Sequence, residues 1–372
     1  MTADTVGGVW TYSLELACVL GSYGTEVFLA TMGAPLTPAQ REESSRVPGM
    51  KVFESSYRLE WMEDPWDDVR EAGEWLLGLE EAVRPDIVHL NGYAHGGLPW
   101  RAPAVMVAHS CVLSWWCAVR GGEVPPVWER YRGEVARGLS AADCVVAPSE
   151  AMLTELFRHY PVPLSGRVVP NGRTAGLFAP ERKEEMVLTV GRLWDEAKNA
   201  AALHRIAPSL SWAVYVAGEE SHPAGGTFPG GTAVQRLGRL TTRELASWMA
   251  RASIYALPAY YEPFGLSVLE AGLSGCALVL GDIPSLREIW DGVALFVQPR
   301  DEEALKGAIE SLIRNPGERK RRAASARARA EEFSPLRMAE GYGAVYGEVM
   351  GKKTGKGRGK GKVTAEKRRK RK

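Results

Sequence analysis

Two carboxylates flank a sharp change of backbone between Pro258 and Gly275. Ser253-Ile-Tyr-Ala-Leu257 reads as a short apolar strand, Pro263 and Gly265 interrupt the chain, and Leu266-Ser-Val-Leu-Glu-Ala271 takes up helical character. A strand that turns directly into a helix gathers the first helical N–H groups and the positive end of the helix dipole at one spot, where an anion such as a diphosphate can sit. Glu262 lies before the helix and Glu270 within it, eight positions on, so at about 1.5 Å per helical residue they stand at most roughly 12 Å apart. That span suits a sugar at one end and a ribose at the other. The competing reading makes Glu262 a helix cap and Glu270 a solvated position.

A second constellation follows the apolar run Met186-Val-Leu-Thr-Val190, in Gly191-Arg-Leu-Trp-Asp-Glu-Ala-Lys-Asn199. Arg192 and Lys198 fall before and at the start of the next expected helix, where cations oppose the dipole, so an anion held between them is the expectation. A third candidate is His109, at the tip of the strand Ala104-Val-Met-Val-Ala108, where it could donate to a sugar hydroxyl. His95 in the loop Asn91–Gly97 is a weaker candidate. Gly7-Gly8, opening the first helix, allow close backbone approach.

The elements that must position these groups alternate in type. Apolar strands recur near Glu26–Ala30, Met50–Phe53, Asp86–Leu90, Ala104–Ala108, Cys144–Ala147, Met186–Val190 and Trp212–Ala217, separated by helical stretches such as Glu63–Val83 and Glu150–His159. This alternation predicts α/β architecture with parallel sheets covered on both faces, and ligands at the carboxyl ends of the strands. At 372 residues the chain has room for two domains. The expected division is 1–178, 179–332, a final helix at 333–350 and a tail at 351–372. Trp115, Trp116 and Trp128 are expected to pack. The overall charge of +1 hides an asymmetry, because the tail carries twelve basic residues and one acidic while the remainder has 34 basic against 44 acidic. An acidic body argues against a nucleic-acid-binding fold, and the tail is expected to be a disordered, solvated extension, with attraction to anionic lipid or RNA as the alternative. Five scattered cysteines fit reduced thiols, and neither a secretory signal nor an apolar run of eighteen residues is evident, so a cytoplasmic protein, conceivably peripheral at the inner face of the membrane, is the expectation.

The two Glu spaced around Pro-Phe-Gly, continuing through Gly275-Cys-Ala-Leu-Val-Leu-Gly-Asp282 and Ile283–Trp290 to Gly292 and Pro299, resemble the signature of retaining glycosyltransferases of family 4. The resemblance covers residues 2 to about 348 and implies a GT-B fold, two Rossmann-like domains facing each other across a cleft. It implies that Glu270 holds the ribose, that Glu262 with the backbone of Phe264, Gly265 and Leu266 holds the donor sugar, and that Arg192 and Lys198 grip the diphosphate. It further implies that Arg239 and Leu240 border the base, that Gly7 and Gly8 meet diphosphate and acceptor, and that His109 serves the reacting region. The reaction implied moves a sugar from a nucleoside diphosphate sugar to a sugar or glycolipid hydroxyl with retained configuration, in polysaccharide or glycoconjugate synthesis, with no metal and no cofactor beyond the donor. A sugar phosphorylase or nucleotide-sugar epimerase of the same fold is the alternative, as is a non-catalytic scaffold acting through the basic tail.

In chains of this kind the glycine loop follows the first strand of the sheet, yet only Met1-Thr2-Ala3-Asp4 precede it here. That is short of a usual strand of about 5–6 residues. The expectation is a translation start farther upstream, and an apolar groove where the rest of the strand would lie.

Overall fold

Short apolar segments bounded by Gly, Pro and polar residues become strands buried on both faces, and the amphipathic segments between them become the helices that cover those faces. The computed structural model of the chain describes residues 1–163, 165–221, 227–228 and 231–359, with side chains through Lys352. In chain order the first half runs β1 (Thr2–Asp4), α1 (Gly8–Ser22), β2 (Val27–Met32), α2 (Pro38–Ser45), β3 (Met50–Glu54), α3 (Trp66–Val83), β4 (Val88–Leu90), β5 (Ala104–Val107), α4 (Val112–Val119), α5 (Glu129–Ala141), β6 (Cys144–Ala147), α6 (Glu150–His159) and β7 (Gly166–Val168). The second runs β8 (Glu184–Val190), α7 (Ala200–Ile206), β9 (Ala213–Ala217), β10 (Gln235–Gly238), α8 (Thr242–Arg251), β11 (Ala252–Leu257), α9 (Leu266–Leu273), β12 (Ala277–Gly281), α10 (Pro284–Trp290), β13 (Leu295–Val297), α11 (Glu302–Arg314), α12 (Pro316–Ala330) and α13 (Pro335–Gly359).

All strand pairs named here are parallel. The second half forms one sheet in the order β10-β9-β8-β11-β12-β13. Its strands alternate strictly between two cores: Tyr255, Leu257, Leu278 and Leu280 face α8, α9, α10 and α12, whereas Ile254, Ala256, Ala277 and Val279 face α7 and α11. In the first half β1-β2-β3 and β4-β5-β6-β7 are separate ladders. They are joined by Asn91, whose N–H donates to Thr2 Oγ1 at 2.8 Å and whose side-chain amide donates to the Thr2 carbonyl at 2.7 Å. The short β1 does form, in register with β2 through Thr2 and Ala30, and beside it lies a cavity of about 60 Å³ lined by Met1, Phe28, Ala30, Leu76 and Leu90 among others.

The chain passes between halves twice, and the two passages touch. Arg173 N–H donates to the Phe333 carbonyl at 3.1 Å, and α13 then packs Met338, Tyr342 and Val345 against Tyr12, Leu16, Val105 and Val107 of the first half. Phe178, assigned from sequence to the first domain, sits wholly inside the core of the second, because the linker turns back under α9 and β8 before the sheet begins. Helix α13 runs to Gly359, nine residues into the stretch expected as a disordered tail; once a packed helix exists, each added residue brings one more hydrogen bond. Residues 360–372 of that tail, and 222–226, 229 and 230 of the Gly- and Pro-rich loop after β9, lie outside the described residues. No helix among the described residues is long and apolar enough to cross a membrane.

The halves also touch directly. Ser149, which caps α6 by accepting from Met152 N–H, donates its hydroxyl to the Pro263 carbonyl at 2.7 Å. Glu288 of α10 accepts from the Glu150 and Ala151 N–H groups at 2.8 and 2.9 Å, a carboxylate at the positive end of α6. The backbone crossing leaves no room for a side chain at Gly172: a Cβ there would lie 2.4 Å from the Ser334 carbonyl oxygen. Gly172→Ala is therefore expected to lower stability by about 1–3 kcal/mol in urea denaturation. Gly176→Ala, which meets nothing within 4 Å, serves as the control with little effect, and equal midpoints for the two variants would count against the tight crossing.

Candidate functional site

Strand β11 is buried throughout and delivers Pro258–Gly265 at its carboxyl end, beside the corresponding end of β8. Gly265 caps α9 with φ +87°, a left-handed conformation that glycine adopts without strain, and a Cβ there would approach Val268 Cγ2 to 3.0 Å. Glu262 Oε1 accepts from the Gly265 N–H at 3.0 Å and Oε2 from Lys198 Nζ at 2.7 Å. Glu262 thus braces the N-cap residue from outside the helix rather than capping the first turn as the plainer reading expected, and is one half of a largely buried ion pair.

Lys198 reaches it because the loop after β8 is pinned to the signature loop. Asn199, left-handed at φ +52°, donates from its amide to the Pro258 and Pro299 carbonyls at 3.0 and 2.7 Å, and Tyr260 N–H donates to the Ala197 carbonyl at 2.8 Å. Asp195 organises the rest of the turn. It accepts from Ala197 N–H at 3.0 Å, from Arg192 Nη2 at 3.1 Å and, across the interface, from Trp115 Nε1 at 2.9 Å. Burial favours the protonated acid, but Lys198, Arg192 and the hydrogen bonds from Trp115 and the Ala197 N–H together outweigh it and hold the Asp195 carboxyl below the usual range. The expectation that the two cations oppose the dipole of the next helix, and so call for an anion between them, is corrected in its premise. Each already has a carboxylate, Arg192 with Asp195 and Lys198 with Glu262, and α7 begins only at Ala200, so neither cation opposes its first turn.

Glycine loop and cations face each other across the interface. A Cβ on Gly7, itself at φ +95°, would lie 3.9 Å from Arg192 Nη1, and one on Gly8 would lie 3.3 Å from Leu266 Cδ1. Asp4 at the end of β1 shapes this loop by accepting from Val6 N–H at 2.6 Å. Burial pushes its carboxyl up to about 7, against the pull of the Val6 N–H and Arg192.

The remaining candidates divide. Phe264 is buried edge-on against Phe333 at 5.8 Å, so its ring belongs to the core. Arg239 is exposed and Leu240 half-buried on the loop after β10. Glu270 is 6% exposed and its Oε1 accepts from Arg173 Nε at 2.7 Å, so this carboxylate has a protein partner that the sequence reading did not foresee. Burial pushes the Glu270 carboxyl up while Arg173 opposes the shift.

His109 and His89 meet at one side-chain amide. Asn91 Oδ1 lies 2.9 Å from His109 Nε2 and 3.2 Å from His89 Nε2. Because an amide oxygen only accepts, His109 carries its proton on Nε2, whereas His89 Nε2 also lies 3.2 Å from the Tyr12 hydroxyl and its Nδ1 2.7 Å from the Tyr346 hydroxyl. The expected role of His109 as a donor to a sugar is corrected accordingly: its one N–H is taken, and Nδ1 is left to accept a hydroxyl proton. Burial holds His109 down to about 3, so the ring is neutral. His95 donates Nε2–H to the Val69 carbonyl at 2.9 Å and is a satisfied core side chain. Sequence reasoning passed over Asp4, Glu15, Arg173 and Asp195, and took Trp115 for packing alone. The one signal for Arg173 is its place directly after Pro170-Asn171-Gly172.

Residues 6–174 match the family described as Glycosyltransferase Family 4, and residues 184–315 the one described as Glycosyl transferases group 1. Among curated proteins, alpha-maltose-1-phosphate synthase of Mycolicibacterium smegmatis is 29% identical over 312 residues, 70% of this chain and 79% of that one. D-inositol 3-phosphate glycosyltransferase of Xylanimonas cellulosilytica is 26% identical over 379 residues, 88% of each. Among solved structures, sucrose-phosphate synthase from Thermosynechococcus elongatus superimposes with a TM-score of 0.77 at 19% identity, over 93% of this chain and 94% of that one. HepE from Anabaena in complex with UDP-glucose gives 0.71 at 16%, over 93% and 98%. The fold is GT-B.

The histidine pair generates a pH dependence. His89 is buried against Tyr12, Tyr346 and Asn91, and burial, aided by the Met1 ammonium and His109, holds it down to about 3 from the ordinary 6.5. The unfolded chain binds a proton below pH 6.5 that the folded chain refuses until about pH 3. Stability is therefore full above 6.5 and falls on acidification, by up to about 1.4 kcal/mol per pH unit for this group. In His89→Gln the gap between urea midpoints at pH 7 and pH 5 should narrow; a gap as wide as the parent's would assign the acid sensitivity elsewhere.

Proposed function

The chain belongs to the group 1 glycosyltransferases of family 4, and on that premise we propose that it moves a sugar from a nucleoside diphosphate sugar to an acceptor hydroxyl with retention of configuration at the anomeric carbon. The observation that carries this reading is the convergence of Arg192, the Lys198–Glu262 pair and the first turn of α9, with the glycine loop of the other half closing over them. Relatives named as maltose-phosphate and inositol-phosphate sugar-transfer enzymes, and a structural neighbour holding UDP-glucose, support the donor class.

In this reading the donor diphosphate sits against the N–H groups of α9 and takes over the two cations from their carboxylates. Negative charge grows on the departing diphosphate in the transition state, and Arg192, Lys198 and the helix amides stabilise it where water is excluded. As Lys198 turns to phosphate, Glu262 is released towards hydroxyls of the transferred sugar. Glu270 takes the ribose. The acceptor enters from the first half, past Gly7, Gly8 and the Asn91 loop, with His109 Nδ1 as an acceptor of hydrogen bonds. Retention follows from attack and departure on the same face of the sugar, with the leaving phosphate taking the acceptor proton. Five unpaired cysteines support a reducing compartment such as the cytosol.

Arg192→Ala and Lys198→Ala are each expected to weaken donor binding and turnover by about 1.5–3 kcal/mol, the worth of a charge-assisted hydrogen bond. Calorimetry with nucleoside diphosphates and steady-state rates measure this, and unchanged values in both variants would end the phosphate assignment. Release of nucleoside diphosphate should need an acceptor, which separates transfer from epimerisation and from phosphorolysis.

The two glutamates should fail differently. Glu270→Gln removes binding common to ground and transition states and should mainly raise the donor KM, whereas Glu262→Gln should mainly lower kcat. Matching changes confined to KM would contradict this division of roles.

A further inference from the structure

Arg173 takes no part in the chemistry above, yet it is only 5% exposed and lies where both halves meet. Its Nε donates to Glu270 Oε1 on α9 at 2.7 Å, its Nη1 is bonded to Glu15 Oε1 on α1, and its guanidinium lies over the Phe178 ring at 4.8 Å. The two carboxylates are not treated alike. Glu15 also accepts from Thr174, at Oε2 from the hydroxyl at 2.6 Å and at Oε1 from the N–H at 3.3 Å, so both its oxygens are engaged. Glu270 has Arg173 as its one donor among the described residues, and that donor occupies Oε1 only. One cation against two buried carboxylates leaves acceptor capacity to spare, and of the four oxygens Glu270 Oε2 is the one without a donor among the described residues.

From this asymmetry we infer that Arg173 is a positioning residue for the donor nucleotide: it grips Glu270 by Oε1 and presents Oε2 to the ribose hydroxyls, with Glu15 as the anchor that fixes the rotation of the guanidinium. The inference rests on the reading that Glu270 meets the ribose, and adds to it two residues that touch no ligand. Lysine cannot replace the arginine, because a single nitrogen at the end of a flexible stem does not span two carboxylates in fixed geometry. Glu15 belongs to the helix that the glycine loop opens, so the ribose contact and the placement of that loop depend on the same guanidinium.

The test uses the full chain and calorimetric titration with UDP, GDP and ADP, each beside its 2′-deoxy counterpart. For the nucleotide that binds, the parent should prefer the ribose form by about tenfold or more, the worth of a hydrogen bond to a charged group. R173K should cut that preference at least about threefold, with the affinity for the 2′-deoxy form changing less than about twofold, because what is lost is the aim of one oxygen. E15Q keeps the shape of the anchor, removes its charge, and should shift the preference in the same direction; if R173K does not fold, E15Q decides alone. A purely structural arginine would lower the melting temperature and weaken both forms equally, and that result overturns the inference, as does an undiminished preference in a variant that melts like the parent. A parent that binds both forms equally, or binds none of the three nucleotides, overturns instead the reading of Glu270 or of the donor site.

Discussion

A guanidinium shared between two buried carboxylates is satisfied in only one relative placement of the segments that carry them. Removing any of the three charges from water costs several kcal/mol, and the cost is met only when all three arrive together. Helix α1, the crossing at Gly172–Arg173 and helix α9 are therefore fixed against one another. The glycine loop is the start of α1, and the signature turn is the start of α9. Their mutual approach, with Gly8 against Leu266 and Gly7 before Arg192, follows from that fixed placement.

The same economy of charge runs through the site. Arg192 and Lys198 lie among Asp195, Glu262 and the α9 terminus and are neutralised in place, so they are held in a few conformations before any ligand arrives. On the proposed reading a diphosphate would exchange one set of anionic partners for another, with little side-chain entropy left to lose. Trp115 bonds Asp195 and Arg120 is paired with Glu196, both from the first half, so the geometry of the cation turn depends on the two halves being together.

The alternation of strands and helices was legible because parallel strands buried on both faces carry near-continuous apolar runs that stand out at any position, as in Ala252–Leu257 and Ala277–Gly281. The cap of α6 is equally local, since Ser149 accepts from the Met152 N–H within four residues. What escaped was the pairing of charges far apart in the chain. Nothing near Arg173 announces Glu15, 158 positions earlier, or Glu270, 97 positions later. Likewise the protonation of His109 depends on Asn91, a partner fixed by the packing of β4 beside β5, and no spacing rule encodes it. The site was thus readable as a set of residue types, while the assignment of partners required the fold.

Helix α13 has a further consequence. Its Met338, Ala339, Tyr342, Val345 and Val349 complete the apolar layer over Tyr12, Leu16, Val105 and Val146, and its Tyr346 hydroxyl meets His89 Nδ1 at 2.7 Å. The first half of the polypeptide thus leaves the ribosome without the side chains that close its own core, and they are translated after the whole second half. The ordinary sequence of synthesis, in which the leading domain settles before the trailing one emerges, is interrupted: the second sheet can be complete while the first still exposes one face. Maturation of this molecule is finished by helix α13, and a ribosome that stalls after Ala330 leaves behind a chain whose older half is the unfinished one.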